Sequence, residues 1–149
     1  LDELAKRIGL RDNARELHAL IRGFWVNAPL FADAGEFFAR CPLPIYLLSN
    51  NGAEYIRRAM RNKNLHPAGI VCADMVRAYK PHRAIFDKAL EISGCRPEEA
   101  VHIGDSYTSD VQGARSAGIR PILVRRKPGK PCEDVTVVSN LIDVLPLLV

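Results

Sequence analysis

An α/β fold built on a doubly wound parallel sheet is what the sequence predicts, and three observations predict it. Short apolar runs recur at Ile45–Leu48, Gly69–Cys72, Ala100–Ile103, Pro121–Val124 and Val135–Val138, each bounded by Gly, Pro or polar turn residues. Between them lie amphipathic segments with apolar residues at helical spacing. The alternation repeats every ~20 to 30 residues, the rhythm of right-handed βα crossovers that cover both faces of a parallel sheet.

The element pattern is read in chain order. Residues 1 to 28 carry helical periodicity only, with Leu1, Leu4 and Ile8 on a first helix, Leu17, Leu20, Ile21 and Phe24 on a second, and a break at Gly9 and Asp12-Asn13. Phe24 and Trp25 read as packing residues. A short helix over Ala34–Arg40 leads into the strand Ile45–Leu48, whose unbroken apolar run predicts burial on both faces. The polar turn Ser49-Asn50-Asn51-Gly52 then opens a helix at Ala53, where Ser49 is either a cap or part of an anion site at the helix start. Gly69–Cys72 is the next strand and Ala73–Tyr79 a connecting loop. Lys80-Pro81 is expected to open a helix ending at Gly94, with Pro81 tolerated in the first turn. A lysine there opposes the helix dipole and makes better sense beside an anion. Gly118 reads as a helix stop, Pro121–Val124 and Val135–Val138 as strands, and Ser139-Asn140 as the cap of a last helix from Leu141 to Leu148.

Composition narrows the partners. A chain of 149 residues with 48% hydrophobic and 26% charged residues suits one domain with one core. Its net charge of +4 is scattered, which is compatible with a small anionic substrate and does not imply nucleic acid. The dense basic stretch Arg125-Arg126-Lys127-Pro128-Gly129-Lys130 reads as a solvated loop, with a phosphate or nucleic-acid patch as the alternative. Cys41, Cys72, Cys95 and Cys132 form no Cys-x-x-Cys and are expected to be reduced thiols. His18, His66, His82 and His102 show no zinc-ligand spacing. Neither a membrane span nor a signal peptide is visible, so a cytoplasmic protein is expected. The sequence begins at Leu1 rather than methionine, which suggests a processed or incomplete N-terminus.

The chemistry concentrates in Val101-His102-Ile103-Gly104-Asp105-Ser106-x-x-x-Asp110, a strand that stops at a glycine and presents two carboxylates before a helix. One reading is local: Asp105 or Ser106 caps the helix and Asp110 complements its dipole. The other is a ligand site, because ligands of open α/β sheets bind at the carboxyl ends of the strands. Ser49 and Lys80, in the turns after two other strands, favour the second reading.

The set resembles motifs two, three and four of the haloacid dehalogenase (HAD) superfamily: Leu47-Leu48-Ser49-Asn50, then Tyr79-Lys80-Pro81-x-x-x-Ile85-Phe86, then Gly104-Asp105-Ser106-x-x-x-Asp110 followed by Gly113-Ala114 and Ala117-Gly118. The likeness covers residues 29 to 149, and its finer pattern looks like the subfamily with an early helical cap, which includes phosphoglycolate phosphatase-like and nucleotidase-like members. It implies a Rossmann-like core at 29–149 with residues 1–28 as a cap remnant, and a Mg²⁺-dependent phosphatase acting on a small phosphorylated metabolite through an aspartyl-phosphate. By the same resemblance Ser49 and Asn50 bind phosphoryl oxygens, Lys80 neutralises charge, Asp105 ligates Mg²⁺, and Asp110 supports the metal shell or orients Lys80.

The sequence departs from the pattern in one respect. The Asp-x-Asp nucleophile motif at the end of the first strand is absent, and no Asp-x-Asp occurs in the 149 residues. Asp33-Ala34-Gly35 follows no strand signal. The resemblance therefore implies a missing central strand, buried sheet edges left unpaired, and a chain inactive by itself. Three alternatives stay open: a degenerate phosphate-binding or regulatory module, dehalogenase chemistry, against which the paired metal-type acids speak, and a receiver domain, whose acids and lysine occur in the opposite order.

Overall fold

The computed structural model describes residues 14–129 and 132–148, with Arg7 as an isolated helical position. The first expected helix and the break at Gly9 and Asp12-Asn13 lie outside these residues. Ala14–Asn27 forms α1 and Ala32–Arg40 forms α2. Tyr46–Ser49 is β1, Ala53–Asn62 α3, Gly69–Cys72 β2, Ala73–Val76 the single turn α4, and Arg83–Ser93 α5. Val101–Gly104 is β3, Gly113–Ser116 α6, Arg120–Val124 β4 and Thr136–Val138 β5.

Every strand pairing is parallel, as expected, but the strands form two part-sheets. β1 pairs with β2, Tyr46 opposite Gly69 through Ser49 opposite Cys72. Separately, β3 pairs with β4 and β4 with β5. No pairing joins β1 to β3 among the described residues. The core follows this plan, with a cluster on each sheet face: Val71, Ile85, Phe86, Ala114 and Ile119 on one, and Phe37, Ile122 and Val144 on the other. β4 sits inside its part-sheet, and Ile122, Leu123 and Val124 are buried. β1 is only half-buried along its length, against the expectation of burial on both faces, and so is β3, because each has a neighbour on one side alone.

Other expectations need correction. Phe24 and Trp25 do not pack inward, being 72% and 51% exposed. α1 is held along α3 by polar contacts instead: Arg22 Nη1 donates to Tyr55 Oη at 2.9 Å and Lys63 Nζ to the Val26 carbonyl at 2.6 Å. Lys80-Pro81 precedes its helix rather than opening it. α5 starts at Arg83 and is capped by His82, whose Nδ1 accepts from the Ala84 N–H, so the α5 dipole does not act on Lys80 as expected. The last helix is a 3₁₀ stretch, Ile142–Leu147, with Pro146 inside it. Gly94 and Gly118 do end helices, in the left-handed conformation (φ +69° and +79°) that glycine adopts at little cost.

The basic loop is not simply solvated. Arg126 pairs with Asp33 at 2.8 Å and lies over the Phe31 ring at 4.1 Å, while the same carboxylate accepts the Leu141 N–H at 2.7 Å. Together these tie the segment after β4, the start of α2 and the C-terminal stretch. Burial opposes the charge on Asp33, yet the Leu141 N–H and Arg126 hold its pKa below the ordinary carboxylate value. Cys41, Cys72 and Cys95 are free thiols, and Cys132 Sγ accepts from Arg125 Nη2 at 3.0 Å. No helix among the described residues is long and apolar enough to cross a membrane.

Candidate active site

The site grows from Gly104, where β3 stops. After it the chain makes a wide π-helical turn, Tyr107–Gln112, before continuing as α6. Ser106 caps this turn: its Oγ accepts from the Ser109 N–H at 3.1 Å, and its carbonyl accepts from both Asp110 N–H at 2.8 Å and Val111 N–H at 3.3 Å. Such turns recur at functional sites because the extra residue re-aims a side chain. Here it folds Asp110 back over Gly104, where an added Cβ would overlap the Asp110 carboxyl group.

Asp110 is the one charged residue buried among the described residues, at 3% exposure. Its Oδ1 accepts from Lys80 Nζ at 2.7 Å and from His102 Nε2 at 3.0 Å, and its Oδ2 accepts from the Ser106 N–H at 3.0 Å. An ionised carboxylate only accepts, so His102 Nε2 carries the proton in this contact. Burial by itself would raise the Asp110 pKa, but donation from His102 and Lys80, the lysine charge and the Ser106 N–H outweigh it and hold the group far below the usual carboxylate range. Asp110 is therefore an anion at neutral pH that fixes the Lys80 ammonium in place.

Lys80 is held from a second direction. The Asn50 carboxamide accepts the Lys80 N–H at 2.7 Å through Oδ1 and donates to the Lys80 carbonyl at 3.4 Å through Nδ2. The turn after β1 is thus joined to the lysine that follows α4. Ser49 Oγ accepts from the Asn51 N–H at 3.1 Å and does not cap α3. That cap comes from Asp74, whose carboxylate accepts the Ala53 N–H at 3.1 Å. Asp105, next to Gly104, is exposed and makes no hydrogen bond among the described residues.

The structure thus brings Lys80, Asp110 and Asn50 into one connected network, with Ser49 beside Asn50 and Asp105 beside the cap of the π-helical turn. The sequence pattern points to no role for His102 beyond excluding zinc-ligand spacing, so this residue emerges only from the structure. A usable signal existed, since His102 and Gly104 share a parity along β3 and therefore a face. The His102 ring also meets Phe86 edge to face, with centroids 5.1 Å apart, an orientation that packing rather than sequence spacing sets.

The donors partly fit a magnesium ion. Mg²⁺ takes hard oxygen ligands, commonly one or two carboxylates with water and phosphate oxygens, and Asp105 offers a free carboxylate. Asp110 already accepts three hydrogen bonds, so its geometry suits orienting Lys80 better than direct ligation. No cluster of three or more potential metal-ligating side chains occurs among the described residues.

An open α/β protein with polar residues converging at the carboxyl ends of parallel strands is the class this fold and site define. A family model described as HAD-hydrolase-like matches residues 78–139. The chain is similar to a phosphoserine phosphatase of Thermus thermophilus, with 33% identity over 123 residues covering 79% of this chain and 49% of that one. Its fold matches the putative HAD-hydrolase YfnB of Bacillus subtilis bound to magnesium (TM-score 0.82, 19% identity, covering 98% of this chain and 68% of that one). It also matches the L-2-haloacid dehalogenase of Xanthobacter autotrophicus (TM-score 0.85, 20% identity, covering 96% and 70%). In sequence over residues 78–139 and in fold, the chain resembles the haloacid dehalogenase superfamily of hydrolases. It spans about half the length of the curated phosphatase it matches.

Proposed function

We propose that the chain carries the phosphate clamp of a Mg²⁺-dependent phosphomonoester hydrolase acting on a small phosphorylated metabolite. The observation that carries this reading is the fixed, partly buried Lys80 ammonium, 2.7 Å from Asp110 and anchored through its main chain by Asn50. Phosphoryl transfer depends mainly on positioning and on cancelling charge on the equatorial oxygens. A preorganised ammonium supplies that charge without reorganising during reaction. Ser49 Oγ donates to a phosphoryl oxygen, and Asp105 is the residue that would hold the metal. Bound Mg²⁺ would polarise the phosphoryl group and orient it. Asp110, with His102 behind it, holds the Lys80 ammonium aimed. Residues 1–28 are read, by the same resemblance, as the remnant of a cap.

An aspartyl-phosphate route needs a nucleophilic carboxylate facing Lys80, and the sequence holds no Asp-x-Asp. These 149 residues alone are accordingly expected to bind phosphate without turning esters over, which keeps a non-catalytic phosphate-binding module as the second reading. The fold does not choose between phosphatase and dehalogenase. The free Asp105 favours the phosphatase, because a hard anionic ligand serves a metal that dehalogenation does not use.

The test pairs calorimetric titration of this chain with inorganic phosphate, with and without Mg²⁺, with an assay of the full gene product on phosphate monoesters. Expected are Mg²⁺-enhanced phosphate binding abolished by Lys80→Ala and Mg²⁺-dependent turnover by the full product. Turnover without Mg²⁺, or phosphate binding indifferent to Lys80, overturns the reading. Binding without turnover by the full product establishes the second one.

A further inference from the structure

Lys80 stands in a tight turn. The His82 N–H donates to the Tyr79 carbonyl at 2.8 Å and closes that turn over Lys80 and Pro81. Tyr79 is 67% exposed, so its side chain gives the turn no packed anchor, and hydrogen bonds have to hold it. Asn50 grips the Lys80 main chain from the turn after β1, and Asp110 receives the Lys80 ammonium. Both act on Lys80 itself. Neither fixes the carboxyl side of the turn.

α5 supplies that side. Its body is locked into the core: Ile85 and Phe86 are fully buried, and Phe86 meets the His102 ring and packs so closely on Gly113 that a Cβ there would overlap it. His82 links this body to the turn. Its Nδ1 accepts the Ala84 N–H at 3.1 Å and its carbonyl accepts the Ile85 N–H at 3.3 Å, while its own N–H reaches back to Tyr79. No acidic residue stands in the first turn of α5 to share the work of the cap. An Nδ1 that accepts carries no proton, so the imidazole satisfies the helix start without setting a negative charge two residues from the lysine.

We infer that His82 is a positioning residue for Lys80: by capping α5 it ties the carboxyl side of the Tyr79–His82 turn to the core, and so sets where the ammonium stands. Its ring is exposed and committed to the Ala84 N–H, so it acts through Lys80 rather than on a ligand. Losing the cap orphans that N–H and lets the first turn of α5 fray. The competent placement of Lys80 then becomes a fraction of the population, and the apparent affinity for an anion falls by that fraction. The placement stands on geometry, and its consequence for binding rests on the reading of Lys80 as a phosphate clamp.

The test compares the wild-type chain with His82→Ala, His82→Asn and Lys80→Ala, each well below its melting transition. Two quantities are read: the calorimetric affinity for inorganic phosphate, and the proton–nitrogen signal of the Lys80 ammonium in lysine-labelled protein, assigned by its loss in Lys80→Ala. Expected for His82→Ala is a phosphate dissociation constant raised about three- to tenfold, within the range that an N-cap is worth, and an ammonium signal moved towards that of the exposed lysines. His82→Asn, whose carboxamide caps a helix in the same way, should restore both to within about twofold of the wild type. A lowered melting temperature in His82→Ala with affinity and signal unchanged makes the cap merely structural and overturns the inference. Failure of His82→Asn to restore them overturns it too. A wild type that binds no phosphate, or binds it no better than Lys80→Ala, overturns the clamp reading alone, and the ammonium signal then decides the placement.

Discussion

Replacing Asp110 by Asn keeps the shape of the most constrained side chain in the site and removes its charge. In the native structure Asp110 satisfies three donors, and its side chain is 4% exposed while that of its partner Lys80 is 16% exposed. Breaking a buried pair by removing one charge costs about 3–5 kcal/mol, because the other is left uncompensated. Lys80 retains some access to water, which places the expected loss near the lower bound, about 3 kcal/mol. For a domain of this size that corresponds to ~6–12 °C in Tm. Urea unfolding of both proteins at pH 7 measures it. Adding Lys80→Met removes the stranded cation, so the double variant should lose less than the sum of the singles, by about 1–3 kcal/mol. Acid adds a second readout. The folded pKa of Asp110 lies well below the ordinary value of an aspartate, 3.8, so its contribution is full above that value and is lost as pH falls towards the folded pKa. The wild type should therefore lose stability more steeply than Asp110→Asn below about pH 4, with Asp33 adding a slope of the same sign to both. A loss under ~1 kcal/mol at pH 7, the size of a surface ion pair, would refute the buried-anchor account.

Gly104→Ala puts a methyl group into the Asp110 carboxyl; overpacking of this kind costs about 1–3 kcal/mol, and a melting curve unchanged within a degree would show that the turn can move aside. Asp33→Ala strips the Leu141 N–H and Arg126 of their shared acceptor, and a loss of about 1–3 kcal/mol in urea unfolding is expected. Burial, reinforced by the charge of Asp74, pushes the Cys72 thiol up to about 11. At pH 8 it should resist iodoacetamide in the native protein and react once urea unfolds the chain, as peptide mapping by mass would show.

Much of this could be read from the linear chain. The strand Gly69–Cys72 falls where its apolar run predicts, and the glycine stops at Gly94 and Gly118 take the left-handed backbone expected of them, because both signals are local. Lys80 and Asp110 were legible as chemistry, since a lysine and a pair of acids in turns after apolar strands have few structural uses. The 3₁₀ form of the C-terminal stretch was less so, because apolar periodicity alone does not separate it from an α-helix.

What the sequence determined by itself is the α/β alternation, the parallel pairing it implies, and the identity of the groups at the strand ends. Each depends on neighbours within about a turn of helix or a length of strand. Tertiary structure alone decided that Asp110 serves Lys80 and His102 at once, that Asn50 grips the Lys80 main chain, and that Asp33 closes on Arg126 and Leu141 across most of the chain. The division of the sheet between β1 and β3 follows the gap that the missing motif implied. Hydrogen bonds between distant segments depend on which elements packing makes neighbours, and no local pattern of residues encodes that.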